Sequence, residues 1–316
     1  MKLTSFRKAA TVTAIAALVA TGTAGCNRTP AGEADRPTVV LSLSTLNNPF
    51  FVELRDGATA EAKKQNVDLE IVDAQNDSAT QANQLATAAS TADAVILNAV
   101  DSDAAGPAAK ALNQADVPIV AVDRAVNGAD VASFVASDNV AGGEQAAKAL
   151  AEAIGEQGEV IVLQGVAGTS ASRDRGEGFT KGIAAYPNIT VVAQQTANFD
   201  RATALDVTTN LLQAHPNAVG VFAENDEMGL GAIQALGSRA GTDVKVAAFD
   251  GTEDGLKAIE AGTLSSTIAQ QPAELGALAV DQAVKAVKGG SGDDGPSDQA
   301  VEVITVTKEN VGDFTE

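Results

Sequence analysis

Short apolar runs rich in β-branched residues alternate with alanine-rich stretches along most of the chain. The runs are "TVVLSL", "DLEIVDA", "DAVILNA", "PIVAVD", "EVIVLQG", "ITVVAQQ", "AVGVFAE" and "VKVAAFD". The stretches between them predict helices, which include residues 51–65, 104–114, 140–154, 202–214 and 230–235. Strands that are apolar on both faces and separated by helices are typical of parallel sheets built from right-handed βαβ units. The pattern predicts an α/β protein.

The end of the chain departs from this alternation. A Gly, Asp, Pro and Ser stretch, "GGSGDDGPSD" at 289–298, predicts a surface loop. It is followed by "VEVITVT" at 301–307, which predicts one last extended segment.

The first residues predict export. Lys2, Arg7 and Lys8 precede "AATVTAIAALVA", which is too short to span a bilayer, and "TGTAGC" follows, so residues 1–25 are predicted to be a lipoprotein signal peptide. Small residues before Cys26 predict that this cysteine is lipidated, although Thr23 stands where such signals usually carry Leu. Residues 26–37 predict a polar tether. We therefore expect a protein anchored on the outer face of the cytoplasmic membrane.

Charge and cysteine content narrow the function. The net charge of −20 becomes −23 without residues 1–25, which hold three basic and no acidic residues. An acidic surface of this kind repels nucleic acid and anionic lipid, so we expect no nucleic-acid partner. A single cysteine excludes an intramolecular disulfide. The remaining length of about 290 residues suffices for two lobes of ordinary domain size.

Polar residues recur at the same spacing in the two halves of the chain. Each stands at or just beyond the end of a predicted strand and has a counterpart 127 residues away: the pairs are Asn48 and Arg175, Asn98 and Asn225, and Asp123 and Asp250. Equal spacing predicts two lobes of one topology. Because ligands of open parallel sheets bind outside the carboxyl ends of the strands, two such edges that face each other would form a binding cleft.

The stretch "STLNNPFF" at 44–51 places two phenylalanines beside amides. Asn48 followed by Pro49 also fits a helix N-cap without any ligand role. Phe50 and Phe51 also fit core packing. Adjacent helical positions lie about 100° apart, so both rings cannot face one core equally well. We expect at least one of them to face the cleft.

Other candidates carry similar alternatives. Asp123 and Asp250 close predicted strands and would otherwise cap the following helices. Two arginines offer guanidinium forks: Arg124, beside Asp123, and Arg175, in "TSASRDRGEGF" at 169–179. For Arg175 the other interpretation is a solvated, salt-bridged helix start. Phe199 supplies a second aromatic wall.

The sequence motifs that mark common classes of enzyme active site were sought and not found. The sequence has no His and Cys cluster for a metal and no Walker loop, nucleophile elbow or His-containing triad, so we expect neither metal nor cofactor. Asp123 and Asp250 have the residue type of a glycosidase pair. We expect neighbouring donors to hold both ionised, which leaves no proton donor. The sequence favours a binding protein over an enzyme.

The motifs as a set resemble a known family. They are "STLNNPFF", "DSDA", "VDR", "ASDN", "QGVAGTSASRDRGEGF", "NFDRA", "AHP", "NDEM", "FDGT" and "TIAQQP". Together they resemble the bacterial periplasmic D-ribose-binding proteins, the type I sugar receptors of ABC transporters, over nearly the whole exported chain. The resemblance implies two Rossmann-like lobes with parallel sheets, joined by a three-segment hinge. It also implies that the ligand is D-ribose or a close pentose, that the protein partner is an ABC permease, and that the protein is a monomer.

The resemblance implies boundaries and contacts as well. The N-terminal lobe would comprise residues 38–137 and 270–300, and the C-terminal lobe 138–269 and 301–316, with crossings at Ser137–Asp138, Ala269–Gln270 and the loop before Val301. The implied sugar contacts are Asn48, Phe50, Phe51, Asn98, Asp123, Arg124, Ser137, Arg175, Phe199, Asn225, Phe249, Asp250 and Gln270.

Two other classes share this two-lobe core. One is a receptor for a different small polyol or a signalling sugar, which would differ only in its pocket residues. The other is a ligand-responsive transcription regulator, which needs an N-terminal helix-turn-helix. A predicted signal peptide occupies that place here.

Overall fold

The computed structural model describes residues 36–289 and 298–315, which hold twelve β-strands and nine α-helices. The predicted signal peptide, Cys26 and all of the tether before Arg36 lie outside the described residues. Most of the predicted loop at 289–298 lies outside them too.

The first sheet has six strands in the order β11-β5-β4-β3-β1-β2, and all neighbours are parallel. Its strands are β1 Thr38–Leu43, β2 Asp68–Asp73, β3 Ala94–Leu97, β4 Ile119–Val122, β5 Ser133–Ser137 and β11 Gln299–Val301.

The second sheet has six strands in the order β12-β10-β9-β8-β6-β7. Its strands are β6 Gly158–Gln164, β7 Ile189–Thr196, β8 Ala218–Ala223, β9 Lys245–Asp250, β10 Ser266–Ala269 and β12 Ile304–Thr307. Only β12, at the edge, runs antiparallel to its neighbour within the described residues. Apart from this edge, the two strand orders are the same, as the repeated spacing predicted.

Helices cover both faces of each sheet, and their bounds follow the predictions closely except at some ends. They are α1 Pro49–Gln65, α2 Ser78–Thr91, α3 Gly106–Gln114, α4 Asn139–Ala153, α5 Ser170–Ile183, α6 Arg201–Ala214, α7 Asp226–Leu236, α8 Glu253–Ala261 and α9 Pro272–Val287. None of these described helices is long and apolar enough to cross a membrane.

Two-sided burial explains the continuous apolar runs. In β1, Val39 and Leu41 pack against α1 and α9, whereas Val40 packs on the α2 and α3 side. In β6, Val160 and Ile161 face opposite cores in the same way. Neither face of either strand meets water, so no polar alternation appears in the sequence.

The chain passes between the sheets three times. It does so after Ser137, after Ala269, and between Val301 and Ile304. The crossings are bonded to one another, because the Asp138 amide donates to the Val301 carbonyl at 3.0 Å. The Gln271 side chain donates to the Glu302 carbonyl at 3.1 Å.

The third crossing corrects the sequence analysis in one respect. We expected this crossing in the loop before Val301, with residues 301–307 forming one extended segment after it. Val301 instead pairs with Ser137 in the first sheet, and the segment breaks at Glu302–Val303 before β12. A continuous β-rich sequence cannot reveal such a break, because either half satisfies strand propensity in a different sheet.

Glycines let three pairs of the described helices approach at backbone distance, and one of these pairs positions the site described below. On α5, a Cβ at Gly178 would lie 2.1 Å from the Val140 carbonyl oxygen of α4. On α4, a Cβ at Gly143 would lie 2.3 Å from the Arg175 carbonyl oxygen. Helices α4 and α5 are therefore locked together, and α5 holds Arg175 at a fixed depth.

Candidate functional site

A cleft lies between the lobes where the carboxyl ends of the two sheets face each other, and it contains a cavity. Its lining residues come from both lobes: they are Asn48, Phe50, Phe51, Asp123, Arg124, Ala171, Arg175, Phe199, Asn225, Asp250 and Gln270. Ten of these were among the thirteen ligand contacts expected from the sequence. Ala171 was not.

Asp123 and Arg124 form the charged group of the first lobe, directly after β4. Both are 3% exposed, and Arg124 Nε lies 3.6 Å from Asp123 Oδ2. Arg124 Nη1 donates to the Ala99 carbonyl at 3.0 Å. Asn98 donates from Nδ2 to Asp123 Oδ2 at 3.1 Å. Backbone and amide partners thus hold this pair at the edge of the sheet.

Arg175 and Asp250 form the corresponding group of the second lobe. Arg175 Nη1 donates to Asp250 Oδ1 at 3.4 Å and to the Glu224 carbonyl at 2.6 Å. Gln270, just beyond β10, donates from Nε2 to Asp250 Oδ1 at 2.7 Å. The guanidinium carbon of Arg175 lies 3.8 Å from the centroid of the Phe249 ring. This stacking fixes the plane of the fork.

Both aspartates have unusual backbone conformations at the ends of equivalent strands. The φ angle is 63° at Asp123 and 121° at Asp250. Positive φ costs a non-glycine residue free energy and persists where surrounding structure enforces it, often at ligand sites. The backbone turns each carboxylate toward the cleft.

Aromatic rings form the apolar walls. Phe50 and Phe51, in the first turn of α1, pack edge to face with centroids 5.1 Å apart, and both line the cavity. Phe199 approaches from the second lobe. The guanidinium of Arg124 lies 5.3 Å from the Phe51 centroid and 5.7 Å from that of Phe199, so it bridges rings of different lobes.

Two asparagines serve as helix caps and cavity walls together. Asn48 Oδ1 accepts from the Phe50 amide at 2.9 Å, and Asn225 Oδ1 accepts from the Met228 amide at 2.9 Å. Both also line the cavity. Asn48 therefore caps α1, as the alternative predicted, and also borders the cavity. Asp250 is not a cap, since Thr252 caps α8.

Three expected contact residues lie outside the cavity lining. Asn98 is fully buried, and its Oδ1 accepts from the Ser44 amide at 3.1 Å while Nδ2 holds Asp123. Phe249 lies beneath Arg175. Ser137, 5% exposed at the first crossing, has an Oγ without a hydrogen-bond partner. Asn98 and Phe249 support side chains that do reach the cavity.

Burial dominates the electrostatics of the two aspartates. It raises the pKa of Asp123 despite the opposing charges of Arg124 and Arg175. Burial likewise raises the pKa of Asp250 well above its ordinary value, with Arg175 opposing the shift. The neighbouring arginines and amide donors therefore offset only part of the effect of burial on the pKa of these carboxyl groups. Two acidic and two basic side chains share the cavity, so neither sign of charge dominates it.

Comparison with known proteins identifies the family. Residues 39–291 match the family model described as a periplasmic binding protein domain. The chain belongs to the periplasmic binding protein family. It is 46% identical over 286 residues to the ribose import binding protein RbsB of Salmonella typhimurium, a match that covers 90% of this chain and 94% of the relative. It is 46% identical over 247 residues to RbsB of Bacillus subtilis, covering 78% of this chain and 80% of the relative.

Solved structures of binding proteins share the fold. A solute binding protein of Actinobacillus succinogenes with bound D-allose has a TM-score of 0.81 at 33% identity, covering 88% of this chain and 100% of that chain. One from Bacillus halodurans with bound myo-inositol has a TM-score of 0.82 at 31% identity, covering 90% and 99%. The type I two-lobe fold and the prediction of a binding protein, not an enzyme, are confirmed. Among the described residues, no group of three His, Cys, Asp or Glu side chains could hold a metal ion.

Two residues that support the site of this binding protein were missed in the sequence analysis. Asn139 accepts from Arg175 Nε on its Oδ1 at 2.9 Å. Glu224, fully buried after β8, accepts from the Gly165 amide at 2.6 Å and from the Ser172 hydroxyl. Asn139 and Glu224 each stand next to a residue named or quoted in the sequence analysis. This proximity was the only feature of the sequence that could have pointed to them.

Glu224 makes a testable contribution to pH-dependent stability. Burial raises its pKa from 4.5 to about 7, against the bonds from Ser172 and Gly165 and the charge of Arg175. Between these values the folded protein retains a proton that the unfolded chain releases, so the free energy of unfolding falls as pH rises. The full effect is about 3 kcal/mol. Asp226, with a pKa raised by burial to about 6, adds to the same slope.

We expect Glu224→Gln to flatten this slope, because the amide has no proton to lose in that range. The measurement is the free energy of urea unfolding at pH 5 and pH 8 in wild type and variant. Glu274→Gln, at an exposed position of α9, is the matched control and should retain the wild-type slope. An unchanged slope in Glu224→Gln would contradict the assignment.

Proposed function

We propose that this protein is the extracytoplasmic receptor of a sugar ABC transporter, and that it binds D-ribose or a close pentose between its two lobes and delivers it to the permease. One observation carries the proposal. Phenylalanine rings from both lobes and two arginine–aspartate groups converge on one cavity.

The chemistry of this cavity suits an uncharged sugar. A pentose presents CH-rich faces, which flat rings cover, and a rim of hydroxyl groups, which charged forks bind strongly. Phe50, Phe51 and Phe199 supply the rings. An anionic or cationic ligand would disturb the balance between the two carboxyl groups and the two guanidinium groups.

Unpaired polar atoms support a hydroxyl-rich ligand. Arg124 Nε and Gln270 Oε1 are buried at the cavity without a hydrogen-bond partner. A buried polar atom without a partner costs about 1–3 kcal/mol. One atom is a donor and the other an acceptor, and a sugar hydroxyl can satisfy either.

The relatives agree with this class of ligand. The RbsB proteins at 46% identity are named for ribose import. Solved neighbours hold other polyols, which include D-allose, myo-inositol and glycerol. A different small polyol is therefore the second candidate ligand.

The proposal is tested by calorimetric titration of the wild-type protein with D-ribose and, for comparison, with a panel of D-allose, D-arabinose, xylitol and myo-inositol. We expect D-ribose to bind most tightly. Asp123→Ala or Asp250→Ala should weaken that binding by about 2–5 kcal/mol, because each leaves buried arginine and amide donors without their acceptor.

Asp56→Ala, which removes an exposed carboxylate of α1, is the control and should leave binding unchanged. If another polyol of the panel binds more tightly than D-ribose, that polyol becomes the proposed ligand. Unchanged ribose affinity in both cavity variants would exclude the proposed site.

A receptor that delivers a sugar must be able to close and open again. The two lobes make direct hydrogen bonds outside the cavity, and these bonds affect the balance between the open and closed states. The Ser102 amide donates to the Gly168 carbonyl at 3.0 Å, and the Ser170 amide donates to Ser102 Oγ at 3.2 Å. The Ala125 amide donates to Ser170 Oγ at 2.8 Å. Because these bonds join the first lobe to the second without a cavity-lining residue, they stabilise the closed arrangement whatever sugar is bound.

We expect Ser170→Ala to weaken binding of every sugar by the same factor. Loss of one hydrogen bond, about 1 kcal/mol, corresponds to about fivefold. Only the equilibrium between open and closed states changes, so the ratio of affinities for two sugars stays constant. Titration with two sugars from the panel measures this ratio. Ser90→Ala, at an exposed position on α2, is the control. A changed ratio would place Ser170 in sugar recognition instead.

Membrane anchorage is proposed from the sequence motif at Cys26, which would carry the lipid, with residues 27–37 as the tether. Cys26→Ser should release the protein from the membrane fraction of the producing bacterium, because the acceptor thiol is removed. Immunoblots of membrane and soluble fractions measure the distribution. Retention of the variant in the membrane fraction would exclude lipidation at this residue.

A further inference from the structure

Asn139 connects the first lobe crossing to the arginine of the second lobe. It is the first residue of α4, two positions after the last residue of β5, and it is 6% exposed. Its Oδ1 accepts from Arg175 Nε at 2.9 Å, and its Nδ2 donates to the Ser137 carbonyl at 3.1 Å. The reverse orientation of the amide would set donor against donor and acceptor against acceptor, so these partners fix its orientation.

The bond to Asn139 helps determine which donors of Arg175 face the cavity. Nη1 is bonded to the Glu224 carbonyl and to Asp250 Oδ1, and Nε is bonded to Asn139. The Phe249 ring covers one face of the guanidinium. A guanidinium has five N–H donors in a rigid plane, so these contacts leave the two donors of Nη2. Asn139 therefore helps to hold the plane in which Nη2 is presented to a ligand.

The second bond of Asn139 spans the backbone that must rotate when the lobes open. Ser137 pairs with Val301 in the first sheet, whereas Asn139 begins a helix packed on the second sheet. A change in the torsion angles at Ser137 and Asp138 moves the Ser137 carbonyl relative to the Asn139 amide. Hinge opening at this crossing therefore disturbs the side chain that holds Arg175.

We propose that Asn139 is a positioning residue that couples closure of the first crossing to the orientation of Arg175, an inference that rests on the proposed function. In the closed state Asn139 has both partners and presents Arg175 for binding. When the crossing opens, Asn139 loses its anchor on Ser137, and the fork of Arg175 is less restrained. The sugar then meets a correctly oriented fork only as the lobes close.

The test is a double-mutant cycle with calorimetric titration of the tightest-binding sugar of the panel. Asn139→Ala should weaken binding about tenfold in the wild-type background. In an Arg175→Lys background it should change affinity less than about twofold, because its effect passes through the arginine. An equal loss in both backgrounds would overturn the proposal.

Asn139→Asp separates the two bonds of the side chain. The carboxylate still accepts from Arg175 Nε, but its second oxygen faces the Ser137 carbonyl, where a donor is needed. We therefore expect Asn139→Asp to bind the sugar more weakly than wild type. Full restoration would show that the link to the crossing has no role. Asn113→Ala is the matched control, since that half-buried side chain lies outside the cavity lining and also makes two bonds, to the amide and carbonyl of Asp130. It should leave affinity unchanged.

A second readout needs no sugar and distinguishes failure of this inference from failure of the proposed function. Nuclear magnetic resonance detects the Nε–H signal of Arg175, which is assigned by its loss in Arg175→Lys. In the protein without sugar, Asn139→Ala should accelerate solvent exchange of this proton at least about threefold, because its acceptor is gone. An unchanged exchange rate would overturn the positioning role even if no sugar of the panel binds.

Discussion

The site depends on a constraint imposed by burying four ionisable side chains in one cavity. Each such group loses its hydration and is tolerated only with partners of opposite charge and satisfied hydrogen bonds. Asp123 with Arg124, and Arg175 with Asp250, supply the opposite charges in the first and second lobe respectively, while Arg124 Nε has no hydrogen-bond partner. The raised pKa values of both aspartates reflect how strongly burial acts on them.

The supporting structure follows from that constraint. Asn98 and Gln270 donate to the aspartates, Asn139 accepts from Arg175, and main-chain carbonyls accept from both arginines. Phe249 covers one face of the Arg175 guanidinium. These bonds between side chains restrict their orientation, so under the proposed function the donors that remain would be directed at a ligand before it arrives. Such preorganisation reduces the entropy lost on binding.

Repetition of one strand order in two lobes places these groups face to face. Parallel strands end at the same edge of their sheet, and both lobes present that edge to the cleft. The lobes are connected by three crossings that are hydrogen-bonded to one another. Under the proposed function, bending at the crossings would separate the side chains of both lobes from a shared ligand at the same time.

The sequence alone determined the features that depend on local periodicity and local chemistry. Apolar runs predicted the strands, and the equal spacing of Asn48, Asp123 and their counterparts predicted two like lobes with polar residues at one edge. The cap role of Asn48 was also readable, because a cap involves only neighbouring residues. Ten of the thirteen expected side chains line the cavity, although the specific contacts came from resemblance to a family.

Tertiary structure decided what depends on residues distant in sequence. Whether Phe249 faces the cavity or lies beneath Arg175 is set by the packing of β9 against α4 and α5, and strand alternation gives no preference between them. The break at Glu302–Val303 depends on two sheets that compete for one segment. The role of Asn139 depends on α5 packing against α4, and that of Glu224 depends on α5 lying beside the end of β8. Propensity and spacing act over a few residues, whereas these outcomes are fixed by contacts between segments that only the folded chain brings together.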